Sequence, residues 1–388
     1  MHWSLRQNRT RAVIALLGAT LSILSVACGP DKSIRYYNLG LDAAKRDDYG
    51  EAIRLWNESI KHRPDDPEAR YNLGAALMMM RRYAEAEIQL RRAVELQPQD
   101  PDAQHLLGSS LEQQGMFPEA KRAYDFALSI KPTHVPSLMG LASIALKESR
   151  NRSAENHATQ AVELDPNNLE ANMLLCEAYF RNGNFTEAYG QLLSAKRLGP
   201  MKPELLLLLG KTAYARRMFV DAREALDSAR ALGMSTDELF CYLALTNLAL
   251  GETGEAEKHF RLALFKNAEN ARAWKGLAET YIREKKWRDA AEAVAKAASL
   301  EPDDPETMLD DALVRMNLGD LSAAARKLEA LRARSDAPGI TNYYLGHAYL
   351  RMGKDADARA AFQRFAGIWE GDKALVEEAK TIADRLAP

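Results

Sequence analysis

Cysteine is nearly absent from this chain: 388 residues contain three, Cys28, Cys176 and Cys241, and no Cys-x-x-Cys spacing. That scarcity rules out a disulfide framework and a thiolate-rich zinc site. The seven histidines never fall three to five residues apart, so no His-Glu-x-x-His spacing exists. A glycine-rich phosphate loop and a Gly-x-Ser-x-Gly elbow are missing too. Positive charge is not in excess: the formal net charge is −2, which leaves no basic stripe for nucleic acid. Long apolar runs are also lacking. Ala12–Ala27 carries no charge, but its 16 residues fall short of the roughly 20 a spanning helix needs. The five leucines Leu205–Leu209 are shorter still and read as a helix buried on several sides. These absences predict no catalytic residues, no metal, no cofactor, no small-molecule substrate and no nucleic-acid partner.

What the chain does have is a ruler. Pro67–Asp100 reads as two amphipathic helices joined by a turn and closed by a proline. With Pro67 as position 1, steps of 34 residues place alanine at position 20 in all ten units, from Ala52 and Ala86 to Ala324 and Ala358. Position 8 is always small: Gly40, Gly74, Gly108, Ala142, Cys176, Gly210, Ala244, Ala278, Ala312 and Gly346. Small residues at 8 and 20 let the two helix axes approach to about 8–10 Å. Position 27 serves the seam with the next unit, where a bulky side chain costs roughly 1–3 kcal/mol. Glycine recurs at position 15, where the first helix must stop. Proline recurs at position 32, past the end of the second. Cys176 and Cys241 occupy different positions of units two apart, which predicts two free thiols.

This period and its small-residue pattern resemble the tetratricopeptide repeat family, as do the aromatic marks Trp274, Tyr179, Tyr281, Trp56, Tyr124, Phe260 and Phe362. The resemblance implies an all-α, right-handed α-solenoid of ten 34-residue helix-turn-helix repeats. The units fall at 33–66, 67–100, 101–134, 135–168, 169–202, 203–236, 237–270, 271–304, 305–338 and 339–372. The segment 373–388 supplies a capping helix, with Leu375, Ala379, Ile382 and Leu386 on one stripe. Unit nine departs most, with Leu331 for alanine, Asp336 for proline and then Pro338-Gly339, which predicts a bend or a loose joint.

The leader, residues 1–27, differs in kind. Arg6, Arg9 and Arg11 precede the uncharged run, as in a secretory signal. Leu24–Cys28 resembles the bacterial lipoprotein box, which implies lipid on Cys28 and a short linker over 28–32. Ser25 stands where that box prefers leucine, and Ser25 with Ala27 also suits an ordinary signal peptidase, leaving a soluble periplasmic or secreted protein as the alternative. Gly29 after the cysteine implies the outer membrane, periplasmic face.

In the repeat family the first helices line the inner groove through positions 2, 5, 9, 12 and 13. Those positions nominate Tyr37, Leu41, Tyr71, Met78, Met79, His105, Met139, Met173, Phe180 and Tyr214 as a partner-binding groove for extended or helical protein segments; the alternative is that these side chains pack in part against neighbouring first helices. The carboxylate-gripping mode of some family members does not fit, because Asp102 stands where a cation is needed. A lipidated cysteine followed by such repeats resembles pilotin-type lipoproteins of type IV pili. The expectation is a non-enzymatic envelope scaffold for assembly of a pilus or secretion machine; the alternative is an accessory subunit of envelope polysaccharide synthesis or export.

Overall fold

A computed structural model of the chain describes residues 31–199 and 202–387. Cys28 and the leader lie outside them. The described residues form 21 α-helices and no strand. They fall into two compact units, 31–199 and 202–387.

The first unit holds α1 Lys32–Ala44, α2 Tyr49–His62, α3 Pro67–Met79, α4 Tyr83–Leu96, α5 Pro101–Gln113, α6 Phe117–Ile130, α7 Val135–Lys147, α8 Asn151–Leu164, α9 Leu169–Arg181 and α10 Phe185–Leu198. The second holds α11 Pro203–Ala215, α12 Phe219–Ala231, α13 Asp237–Ala249, α14 Thr253–Lys266, α15 Ala271–Arg283, α16 Trp287–Leu300, α17 Pro305–Leu318, α18 Leu321–Arg332, α19 Thr341–Arg351, α20 Asp355–Ile368 and α21 Lys373–Arg385. In each unit a first helix packs on its own second helix, and that second helix packs on the next first helix. The odd-numbered helices α3, α5, α7 and α9 also lie side by side, as do α11, α13, α15, α17 and α19.

Local chemistry fixes the helix starts. Pro67, Pro101, Pro203 and Pro305 occupy first-turn positions that need no donor. The preceding residue often caps. Asp66 accepts from the amides of Glu68 and Ala69, Asn168 from Ala171 and Asn270 from Ala273. Each such cap stabilises by about 1 kcal/mol.

All ten position-20 alanines have no exposed surface. Packing at position 8 is tighter than the ruler implied. A Cβ added to Gly108 would come within 2.7 Å of the Tyr124 ring as well as 3.1 Å of the Ala120 carbonyl. Gly74 meets Leu90 and Gly346 meets Phe362 in the same way. The side chain at position 24 therefore lies over the small residue at position 8. It also governs position 6 of the following unit: the Tyr124 ring leaves no room for more than Gly140, and Phe260 none for more than Gly276.

The turn at position 15 is left-handed throughout. Gly115, Gly183, Gly251, Gly319 and Gly353 have φ of 71–94°, and Asp47, Arg81, Ser149, Arg217 and Lys285 have φ of 57–60°. Five units thus hold a side chain in a conformation that costs about 1 kcal/mol or more. Gly233, at φ 91°, ends the second helix of the sixth repeat, which lacks the closing proline.

Between α18 and α19, where the sequence of unit nine predicts a bend or a loose joint, the chain makes a longer connection. It is tied down. Arg334 clasps Asp336 at 2.8 and 2.9 Å, Thr341 donates to the Pro338 carbonyl at 2.6 Å, and Trp369 lies against Gly339. The final helix α21 is capped by Asp372 and buries Ala379 and Ala383 in a cluster that includes Phe365, with Leu375, Ile382 and Leu386 half-covered. Cys176 and Cys241 are buried free thiols, both pushed up to about 12 by burial.

Two stability outcomes follow. An added Cβ at Gly251 meets nothing within 4 Å, so Gly251→Ala carries backbone strain alone and should cost about 1 kcal/mol in urea denaturation. Lys285→Gly, which relieves the same strain, should raise the midpoint; a lowered midpoint would refute the strain account. A methyl at Gly276 would sit 2.1 Å from the Phe260 ring. Gly276→Ala should therefore destabilise by about 1–3 kcal/mol, and Phe260→Leu in the same chain should restore part of it. Simple additivity of the two changes would show that these residues do not compete for one space.

Candidate functional site

The first-helix face is the place to look, and burial redistributes the residues nominated there. Tyr37, Leu41, Tyr71, Met78 and His105 are buried, at 3–8% exposure, so they do not form an open groove. The reason is the lateral packing of first helices. The hydroxyl of Tyr37 donates to Glu68 at 3.3 Å and accepts from Asn72 at 3.0 Å, both on α3. Leu41 and Tyr71 join the same core cluster. Met79 is exposed at 39%, and Met139, Met173, Phe180 and Tyr214 are half-buried. Phe180 packs on Phe185 at 5.5 Å, and Tyr214 on Phe219 at 5.7 Å. Of the ten, His105 and Met139 come together in one hollow, and Tyr214 lines another. Cys28 lies outside the described residues.

That hollow is a cleft of about 340 Å³ between α5, α7 and the start of α9. His105, Ser109, Glu112 and Gln113 come from α5, Tyr124 from α6, and Pro136, Met139, Gly140, Ser143 and Lys147 from α7. Asn168, Glu170 and Leu174 close the far end. Glu112 is the centre of its polar wall. The buried carboxylate accepts from Tyr124 Oη at 2.7 Å, Ser143 Oγ at 2.7 Å and Lys147 Nζ at 2.8 Å. Burial and the adjacent Glu112 charge hold the Tyr124 phenol far above its ordinary range. The His105 ring stacks on Tyr124 at 5.3 Å and meets His134 edge-on at 5.6 Å. Burial, then the neighbouring His134, lowers its pKa to about 3, so the ring is neutral at neutral pH.

This arrangement holds charge in place. The Ser143 hydroxyl donates to a carboxylate and Lys147 is paired, so neither is prepared as nucleophile or base. Sequence reasoning passed over this wall; the signal available was Glu112, the one carboxylate among the position-12 residues. Its three donors, 12, 31 and 35 residues away, gave none. Among the described residues, no group of three or more His, Cys, Asp or Glu side chains could hold a metal ion.

The second unit has a different face. Tyr242 lies between Lys211, 5.7 Å from the ring centre, and Arg272, at 5.5 Å, and accepts from Arg272 Nη1 at 3.1 Å. Lys275 pairs with Glu301 at 2.9 Å and with Asp304 at 3.4 Å. Burial, then Glu279 and Glu306, pushes the Asp310 carboxyl up to about 7. A hollow of about 430 Å³ lies beside Tyr214, Arg217, Phe219 and Arg283. Its arginines include Arg283, already bound to the Leu248 carbonyl at 3.1 Å and to Glu279 at 2.6 Å.

Comparison with known proteins agrees with this architecture. Two family models described as tetratricopeptide repeat match residues 37–101 with 309–373, and 247–307. A third, described as anaphase-promoting complex, cyclosome, subunit 3, matches residues 147–229. Superkiller protein 3 of Schizosaccharomyces pombe is 29% identical over 112 residues, which is 29% of this chain and 8% of that protein's length. The crystal structure of the APC/C hetero-tetramer Cut9–Hcn1 is similar at a TM-score of 0.52 and 14% identity, over 91% of this chain and 90% of the other; that likeness is one of fold. Pseudomonas aeruginosa pilF is similar at a TM-score of 0.49 and 16% identity, over 54% of this chain and 95% of its own. The chain belongs to the tetratricopeptide repeat proteins.

Proposed function

We propose that the chain is a lipid-anchored, non-enzymatic scaffold of the bacterial cell envelope, which docks segments of other proteins on its first-helix face during assembly of a pilus or secretion machine. The observation that carries the docking role is the cleft beside Met139: a concave, partly apolar surface on a repeat fold that holds no prepared nucleophile. The address rests on the leader, with Arg6, Arg9 and Arg11 ahead of Ala12–Ala27 and Cys28. Helix α1 begins at Lys32, only four residues after Cys28. A span of four residues reaches at most about 14 Å, so lipid on Cys28 would keep the first repeat at the bilayer surface. No helix among the described residues is long and apolar enough to cross a membrane.

Two experiments test this reading. Cys28→Ala should move the protein from the membrane pellet to the soluble fraction; retention in the pellet would remove the lipid anchor. Crosslinking in intact cells, then purification of the full chain from detergent, should recover components of an envelope assembly machine. Recovery of glycosyltransferases would favour the polysaccharide alternative, and recovery of no protein at all would overturn the scaffold.

A further inference from the structure

The charges around the cleft select among possible occupants. Glu112 is buried and already receives three donors, so it has little left to offer a ligand. Lys147 is the cation on the lining, and it belongs to Glu112 at 2.8 Å. A ligand carboxylate that drew Lys147 away would strand Glu112 with its charge uncompensated in a buried place, which costs more than the new pair returns. Glu170 is different. It stands at the rim, exposed, and among the described residues it has no ion-pair partner. Its place in the first turn of α9 suits a carboxylate, so the helix itself holds it there. His105 contributes no positive charge at neutral pH. The cleft therefore faces its ligand with one unmatched negative charge.

Beside Glu170 the lining turns apolar. Leu174 lies one helical turn further along α9, and Met139 and the Tyr124 ring lie across from it. Met139 is half-buried and unbranched, so it can adjust to the side chain it meets. A volume of about 340 Å³ is at the small end of ligand pockets, room for a side chain or two and not for a large cofactor.

We propose that this cleft takes an extended polypeptide segment that lays an apolar side chain on Met139 and Leu174 and sets a lysine or arginine against Glu170. The inference rests on the scaffold reading and adds the chemistry of the partner to it: basic and apolar residues side by side, not an acidic tail.

The test is a random octapeptide library displayed on phage and panned against the full-length protein held in detergent micelles. Enriched clones should carry Lys or Arg next to Leu, Ile, Met or Phe. Synthesised as labelled peptides, they should lose about tenfold or more in affinity on Glu170→Lys, and also on Met139→Asp. Circular dichroism melting of both variants guards against misfolding; Glu170 is exposed, so Glu170→Lys should lower the melt only slightly, through the lost first-turn carboxylate of α9. Acidic clones, an absence of enrichment, or binding indifferent to Glu170→Lys would each overturn the proposal. The in-cell crosslink repeated on Glu170→Lys separates the two levels. Partners recovered undiminished would sink the cleft chemistry and leave the scaffold standing, whereas a wild-type chain that recovers none sinks both.

Discussion

Close approach of two helix backbones at alanine is the contact on which the rest of this structure depends. At position 20 the side chain stops at Cβ, has no exposed surface in any of the ten pairs, and lets the facing helix lie against it. Once the axes are this near, whatever stands at position 8 has its space fixed by its neighbours. Glycine there accepts a large position-24 side chain from the partner helix, as Gly108 accepts Tyr124 and Gly346 accepts Phe362. The seam at position 27 obeys the same rule: alanine is usual, and where Leu331 and Phe365 replace it they too are fully buried. Packing density leaves each pair little freedom except in how it divides a fixed volume.

That division links neighbouring repeats. A large ring at position 24 takes space that the next first helix would otherwise use at position 6, so Tyr124 is followed by Gly140 and Phe260 by Gly276. Leu90 is followed instead by Leu106, and both are fully buried. Tyr124 and Phe260 are thus each one half of a pair whose other half sits 16 residues later, whereas Trp56 is followed there by Asn72. Such coupling between neighbours is what makes the stack cooperative.

Periodicity made most of this visible in the sequence. The alanines, the small position-8 residues and the glycine turns each leave a mark that recurs at steps of 34 residues, and the final helix shows as an apolar stripe at helical spacing. Non-glycine residues in the same left-handed turns, such as Arg81 and Lys285, leave no such mark, because their strain is imposed by the frame around them. On the first-helix face the sequence left two readings open. Tyr37 and Tyr71 look identical as exposed groove residues and as packing residues; what decides is the distance to the next first helix. Hydrogen bonds from Asn72 and to Glu68 show that neighbour close enough to cover Tyr37. Glu112 was passed over in the sequence, and its role depends on Ser143 and Lys147, brought to it by stacking and by no local pattern.

The position of the cleft follows from the same volume argument. On α7 the residues at positions 2, 6 and 9 are Pro136, Gly140 and Ser143, all short, while α5 and α9 bring His105, Glu112 and Leu174 to either side. The hollow is the space those short side chains leave. Gly140 cannot be enlarged to fill it, since a Cβ there would lie 2.4 Å from the Tyr124 ring. Moving that ring would in turn withdraw a hydroxyl from Glu112 and leave a buried carboxylate short of a donor. Pro136 is under no such constraint, and a larger apolar residue there would close part of the hollow at little cost to the core; Ser143, like Tyr124, is held by the donor it supplies to Glu112. Core packing thus accounts for glycine at 140, but it does not account for a carboxylate, a hydroxyl and an ammonium meeting on the wall of an open cleft, where three apolar residues would bury more surface and need no partners.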